Sequence, residues 1–293
     1  MEFTTLMLLI LEIVFLSLVS VIKKIYNRDS QLLFTFFTCV FVLVFFLVVY
    51  FIKNGLSFSF DAGLLMYAIP FGACFTTTSL FSLKAVKEGD LALTGLFTSF
   101  ALIIPTAYGV IFLKDPVGLF FYLGLALFFV CLVLVNLKTK KADEKRKPIT
   151  LKWALYVFIA AATNGGGMLF QTMQQKAYGG QKGDELMIIA LFIAVIVLIP
   201  ILLISEKDKI KPDCKRAILV GAIAGLVTGG LNLLTMVFTG QNLIPVAIFF
   251  PLISGGSIIL TFVIGWLCYK EKYTTLQYIG ILVGVVSVVL LNL

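Results

Sequence analysis

The sequence predicts an all-α integral membrane protein of ten transmembrane helices, arranged as two inverted five-helix repeats. Three observations predict it. First, the 293 residues are 60% hydrophobic and only 13% charged, with a mean hydropathy of +1.08, whereas a soluble domain is roughly half apolar and about a quarter charged. Second, the apolar residues fall into continuous runs near the ~20 residues that span a bilayer as a helix. A barrel strand would instead alternate in polarity over about ten residues. Third, Pro105–Leu137 and Thr261–Leu293 align without a gap, 156 positions apart, with nine identities, among them Gly109/Gly265, Lys114/Lys270, Tyr122/Tyr278 and Gly124/Gly280. Shared apolar bias alone gives about three, so the excess indicates duplication.

The segments follow in order. They run approximately Thr4–Ile22, Leu32–Ile52, Leu64–Leu83, Leu91–Leu113, Val117–Leu137, Leu151–Met173, Leu186–Ile204, Arg216–Phe238, Leu243–Cys268 and Thr274–Asn292. The first has no positively charged leader and no small-residue cleavage site after it, so it reads as a retained helix. Short turns at Lys114-Asp115-Pro116 and Lys270-Glu271-Lys272 make their flanking helices antiparallel neighbours. The longest hydrophilic stretch, 138–150, lies midway and ends at Pro148 and Thr150. It divides the chain into a first repeat over 1–137, a basic linker over 138–150 and a second repeat over 151–293.

Charge sets the expected orientation. The loops after segments one, three, five, seven and nine hold 19 of the 23 Lys and Arg residues, leaving Lys53, Lys114, Lys176 and Lys182 on the other face. The positive-inside rule then places the odd-numbered loops in the cytoplasm and both termini outside a cell (inner) membrane. An odd number of helices per repeat turns the second copy upside down relative to the first. Two inverted copies exchange conformations around a fixed midplane site, which is the architecture of alternating access.

Several classes of function are excluded. The chain has no histidine, and its five cysteines show no metal-ligand spacing, so no zinc, haem or other metal site and no cofactor is expected. Neither a phosphate-binding Gly-Lys-Ser loop nor a dinucleotide glycine motif occurs, and no nucleophile or acid pair clusters near an interface. The chain is therefore not read as an enzyme or an ATP-driven pump. Its net charge of +8 follows from loop lysines obeying topology, not from nucleic-acid binding.

The polar residues inside apolar runs are the candidates for substrate binding. Glu12 is the one acidic residue clearly within a segment, and a carboxylate at helix centre costs about 2.5–3.5 kcal/mol on insertion scales. It would face a cavity or partner, or, near the segment's start, snorkel outward. Asn164 stands opposite it in the second repeat and precedes Gly165-Gly166-Gly167, which either interrupts a helix near the midplane or packs helices closely. Gln171 lies two turns beyond Asn164 on the same face. The 156 offset pairs Thr76 with Asn232 and Ser79 with Thr235, and each partner set is three residues apart. Hydroxyls can bond back to their own helix; Asn232 is harder to satisfy that way. Pro105 and Pro251 free backbone carbonyls and are candidate hinges. Tyr108 and Trp266, near helix ends, are anchors or gates.

These residues resemble the EamA-type branch of the drug/metabolite transporter superfamily. The family's repeat carries a Gly-Glu pair at the turn before its last helix; Lys114-Asp115 and Lys270-Glu271 keep the acid and replace the glycine. Gly124 and Gly280 match the final-helix glycine, and Lys23 or Lys24 and Lys176 match the basic residue after each repeat's first helix. The aromatic-glycine pair of the first helix is absent. The resemblance implies the ten-helix fold and a transporter of amino acids, sugars, nucleotide sugars, polyamines or drugs. Small multidrug resistance members of the superfamily use a first-helix glutamate, which Glu12 resembles. Superfamily members generally keep their termini in the cytoplasm, opposite to the charge count here. The expectation is a secondary transporter, with the bilayer and a small-molecule substrate as its partners. It would move an amino acid, amine or similar metabolite, with export implied by analogy and proton or other ion coupling if Glu12 titrates. Efflux of cationic compounds and a non-transporting membrane scaffold are the competing readings. Oligomeric state has no signature in the sequence.

Overall fold

A computed structural model describes residues 3–26, 30–55, 61–88, 94, 97–136, 150–269 and 273–291. The described part of each apolar run is helical. α1 spans Phe3–Tyr26, α2 Gln31–Asn54 and α3 Leu65–Glu88, the last entered through a 3-10 turn at Ala62–Leu64. α4 spans Ile103–Ile111, α5 Leu119–Asn136, α6 Leu151–Ala177 and α7 Gly183–Ser205. α8 spans Lys207–Gly240, α9 Val246–Tyr269 and α10 Thr275–Leu291. Among the described residues there is no strand, and seven helices (α1, α2, α3, α6, α7, α8 and α9) are long and apolar enough to cross a membrane. The fourth, fifth and tenth runs give shorter apolar helices over Phe97–Ile111, Leu119–Val135 and Thr275–Leu291. The chain is a multi-pass membrane protein. The linker before Thr150 and the turn at Lys270-Glu271-Lys272 lie outside the described residues.

Helix ends follow local chemistry. Thr150 caps α6 by accepting from the Trp153 backbone N–H at 3.1 Å. α10 begins with a reciprocal capping box: the Thr274 N–H donates to Gln277 Oε1 and the Gln277 N–H to Thr274 Oγ1, at 2.9 and 3.3 Å. α7 starts with Asp184 and Glu185, acids at the positive end of the helix dipole.

The fourth run departs from the expected single helix over Leu91–Leu113. Its described part tightens into a 3-10 turn at Phe100–Leu102 before α4. Pro105 has no N–H to bond the Ala101 carbonyl one turn earlier, and its ring crowds that oxygen. The displaced carbonyl lies against Gly165 of α6, where a Cβ would stand 2.3 Å from it.

The packing pairs helices across the two halves. α1 packs on α8 and α9, as α6 packs on α3 and α4; α2 and α7 lie against each other, and α5 lies against α10. The last pair runs antiparallel, with its two glycines as notches. A Cβ on Gly124 would meet Leu290 and the Leu291 nitrogen, and one on Gly280 would meet Leu134 and the Val135 nitrogen. Two hydrogen bonds reinforce it, Ser287 Oγ to the Gly124 carbonyl at 2.7 Å and Gln277 Nε2 to the Val135 carbonyl at 3.0 Å. One apolar core joins α2, α3, α7 and α8 around Phe46, Tyr50 and Leu191. A second joins α1, α5, α8 and α9 around Phe128, Phe238 and Phe249. Ile52, Phe112, Phe158 and Leu219 stay exposed on the outside, the surface that lipid covers.

Candidate functional site

The site is built where α1, α6 and α8 converge. Glu12 is 0% exposed. α8 supplies its partner: Thr235 Oγ1 donates to Glu12 Oε1 at 2.5 Å. That hydroxyl has one proton and also lies 3.0 Å from the Leu231 carbonyl, so it can serve the carboxylate or its own helix but not both. Glu12 Oε2 has no hydrogen-bond partner among the described residues, and none of the lysines or arginines among them pairs with it. Burial of this carboxyl thus contradicts the snorkelling alternative. A buried carboxylate without a counter-cation is neutralised by a proton or by a cationic guest.

One turn back on α8, Asn232 meets α6. Gln171 Nε2 lies 3.5 Å from both the Asn232 side-chain oxygen and its carbonyl, a distance at the limit of a hydrogen bond. Contrary to the expectation that Asn232 resists internal satisfaction, its Nδ2 donates to the Thr228 carbonyl of α8 at 2.8 Å. An asparagine amide reaches the carbonyl one turn back much as a serine does. Glu12, Thr235, Asn232 and Gln171 therefore form one polar seam between α1, α6 and α8.

The remaining candidates stand apart from that seam. Thr76, 5% exposed, donates to the Gly72 carbonyl of its own helix at 2.9 Å, and Ser79 does the same to Phe75. Asn164 is half-buried, without a hydrogen bond among the described residues. The glycine triplet after it does not interrupt α6, which is continuous over Leu151–Ala177. Gly165 admits the Ala101 carbonyl, and Gly166 and Gly167 face Cys74 of α3, so the triplet is a packing surface. Pro105 and Pro251 are buried within α4 and α9. Tyr108 stacks on Phe112 at 5.6 Å, and Trp266 is more than half exposed.

Two features were not among the candidates. Gln174 and Gln175 follow Gln171 at i+3 and i+4, one helical face carrying three amides, and that periodicity is legible in the sequence. Gln175 is wedged between Gly183 and Gly240, where Cβ atoms would come within 2.6 and 2.7 Å of its amide. Asp115, read as a boundary anchor, instead accepts from the Ala247 N–H at 2.8 Å and caps α9. Gly109, a repeat glycine, makes room for that contact: a Cβ there would lie 2.5 Å from the Ala247 nitrogen.

Residues 151–293 match the EamA-like transporter family, a family of the drug/metabolite transporter superfamily. Over those 143 of its 293 residues the chain is EamA-like. A solved crystal structure, titled only as that of a protein, superposes with a TM-score of 0.73 at 9% identity, covering 99% of this chain and 96% of that one. At that identity it shows the fold alone. The comparison with curated proteins found no match. EamA-like proteins are transporters, so the polar seam is a candidate for handling cargo and not for catalysis.

Proposed function

We propose that this EamA-like chain is a secondary transporter that moves a small metabolite, such as an amino acid or amine, across the cell membrane by alternating access. The observation that carries the reading is the Glu12 carboxyl, buried between α1 and α8, held by Thr235 through one oxygen and unpartnered at the other. Neutralising that group requires a proton or a positively charged group of the cargo, and exchange between the two couples substrate movement to proton movement. Asn232 and Gln171 extend the site toward α6, and Thr76 and Asn164 complete its walls in the conformations that open it.

Ten crossings and two inverted repeats, over 1–137 and 151–293, supply the moving parts in this proposal. Its support is reciprocity. Gly124 meets Leu290 and Leu291, while Gly280, its counterpart 156 positions on, meets Leu134 and Val135, which are the counterparts of those leucines. Contacts in which each copy gives and receives the same pair belong to a two-fold relation, and the antiparallel course of α5 and α10 makes that relation an inversion across the membrane. Pro105 and Pro251, together with Tyr108 and Trp266, are the proposed hinges and gates. Odd-numbered loops face the cytoplasm, and export is the direction of net movement.

The test is the Glu12→Gln variant in proteoliposomes, assayed for amine- and amino-acid-driven proton flux. Glutamine keeps the acceptor for Thr235 and removes the titrating group, so flux is expected to fall by about 100-fold or more, with the protein still folded by thermal melt. Full pH-dependent flux in that variant removes Glu12 from the mechanism.

A further inference from the structure

A second polar site lies at the end of the bundle formed by the close of α2, α6 and α8 and the start of α7. It is a cavity of about 500 Å³ whose walls include Lys53, Gln175, Lys182, Asp184, Met236 and Gln241. That volume falls in the range of small-molecule sites. It is separate from the Glu12 seam: Gln175 is one helical turn beyond Gln171, and none of the Glu12, Thr235, Asn232 and Gln171 side chains lines it.

The side chains at its wall are arranged to receive protons in hydrogen bonds. Gln174 Nε2 donates to the Gln181 carbonyl at 2.9 Å, and Gln175 Nε2 donates to Gln174 Oε1 at 2.6 Å. This relay fixes both amides, because flipping either would set oxygen against oxygen. It leaves Gln175 Oε1 as an acceptor with no partner, on a side chain only 1% exposed. Asp184, 8% exposed, repeats the pattern: Oδ1 accepts from the Glu185 N–H, and Oδ2 has no hydrogen bond. Among the described residues, Lys53 Nζ lies 3.7 Å from Oδ2, beyond hydrogen-bond reach, on a side chain that is 55% exposed. Lys182 is already engaged by Asp61 at 2.7 Å. Buried acceptors left unsatisfied are costly, and here both belong to residues that line the same space. Leu233, Met236 and Val237 of α8 give that space an apolar side.

We infer that this cavity is a binding site for a protonated primary amine with a small apolar body, the ammonium N–H groups donating to Gln175 Oε1 and Asp184 Oδ2 and the body lying on Met236. Lys53 is the internal competitor, holding the Asp184 carboxylate loosely until an ammonium with better geometry displaces it. The inference rests on the transport reading only where it makes the bound amine cargo on its way to Glu12; binding itself stands on the cavity.

The test uses the full chain in lipid nanodiscs and isothermal titration calorimetry with benzylamine and with benzyltrimethylammonium, which has the same charge and ring but no N–H. Benzylamine is expected to bind saturably, and its quaternary analogue about tenfold more weakly or not at all. Asp184→Asn should weaken benzylamine by about tenfold, whereas Lys53→Gln should tighten it, a gain that misfolding does not produce. The Glu12→Gln background should keep the component of binding that Asp184→Asn weakens and Lys53→Gln tightens. Equal binding of the two probes, no benzylamine binding, weaker binding in Lys53→Gln, or loss of that component in Glu12→Gln overturns the site. Binding that follows the cavity variants without any flux in proteoliposomes sinks the transport reading and leaves the amine site standing. Glu12-dependent flux with calorimetry blind to Asp184 and Lys53 does the reverse.

Discussion

At the scale of single residues, two carboxylates do opposite work. Glu12 is buried with an oxygen to spare, which suits the exchange of partners proposed for it. Asp115 is committed: its Oδ2 accepts from the Ala247 N–H and closes the first turn of α9. A cap of this kind contributes about 0.5–2 kcal/mol, so Asp115→Ala should lower the thermal midpoint measurably without altering the pH dependence of flux. Equal midpoints for the variant and the parent would show that the cap is idle. Lys114, beside it, takes a left-handed conformation at φ 55.

At the scale of elements, close approach and tethering decide the behaviour. Gly165→Ala would drive a methyl against the Ala101 carbonyl, which Pro105 has already displaced. Overpacking of that sort costs about 1–3 kcal/mol, so this variant should melt earlier than Gly166→Ala, whose Cβ would meet only Cys74 Sγ at 3.2 Å. A thermal melt that ranks the two the other way contradicts the notch. The loops at the cavity end are tied by Asp61, which accepts from Lys182 Nζ and from the Gly63 N–H at 2.7 and 2.8 Å. The Lys182 ammonium holds the Asp61 carboxyl below its usual 3.8, and Asp61 in turn holds Lys182 above its usual 10.5. With a depressed folded value, the Asp61 contribution is present above the ordinary carboxylate range and is lost as pH falls through that depressed value. The Lys182 contribution is present below the ordinary lysine range and is lost as pH rises through the raised one. Hydrogen exchange of the 178–182 turn, corrected for intrinsic rate, should therefore stay slow across neutral pH and accelerate only in stronger acid. Asp61→Asn should exchange fast at neutral pH; slow exchange there would show that the ion pair is not the tether.

At the scale of the whole molecule, symmetry and direction decide what the bundle can do. In the proposed transport cycle, halves that exchange contacts, α1 on α8 and α9 against α6 on α3 and α4, supply two packings of similar energy that present one site to both sides. In the proposed topology the lysine distribution sets which side is which. A reporter active only in the cytoplasm, fused after Leu293, should stay dark, and one inserted in the 138–149 linker should light up; the opposite pattern inverts the assigned topology.

The membrane class and the course of most helices were legible in the sequence, because the length of an apolar run is a local property that lipid reads directly. Glu12 also announced itself, as a charge where lipid tolerates few. Its partner did not. Thr235 lies 223 positions away, and of the candidates paired by symmetry, Asn232 and Thr235 reach the Glu12 seam while Thr76 turns back on its own helix. Whether a hydroxyl serves its helix or a neighbour depends on what packs beside it, and only the tertiary structure decides that. The glycine triplet was ambiguous for the same reason until Ala101 was found against it. The Gln175 wedge and the Asp115 cap needed helix ends from distant parts of the chain to meet. Sequence determined which groups were out of place in lipid; packing decided which of them had somewhere to go.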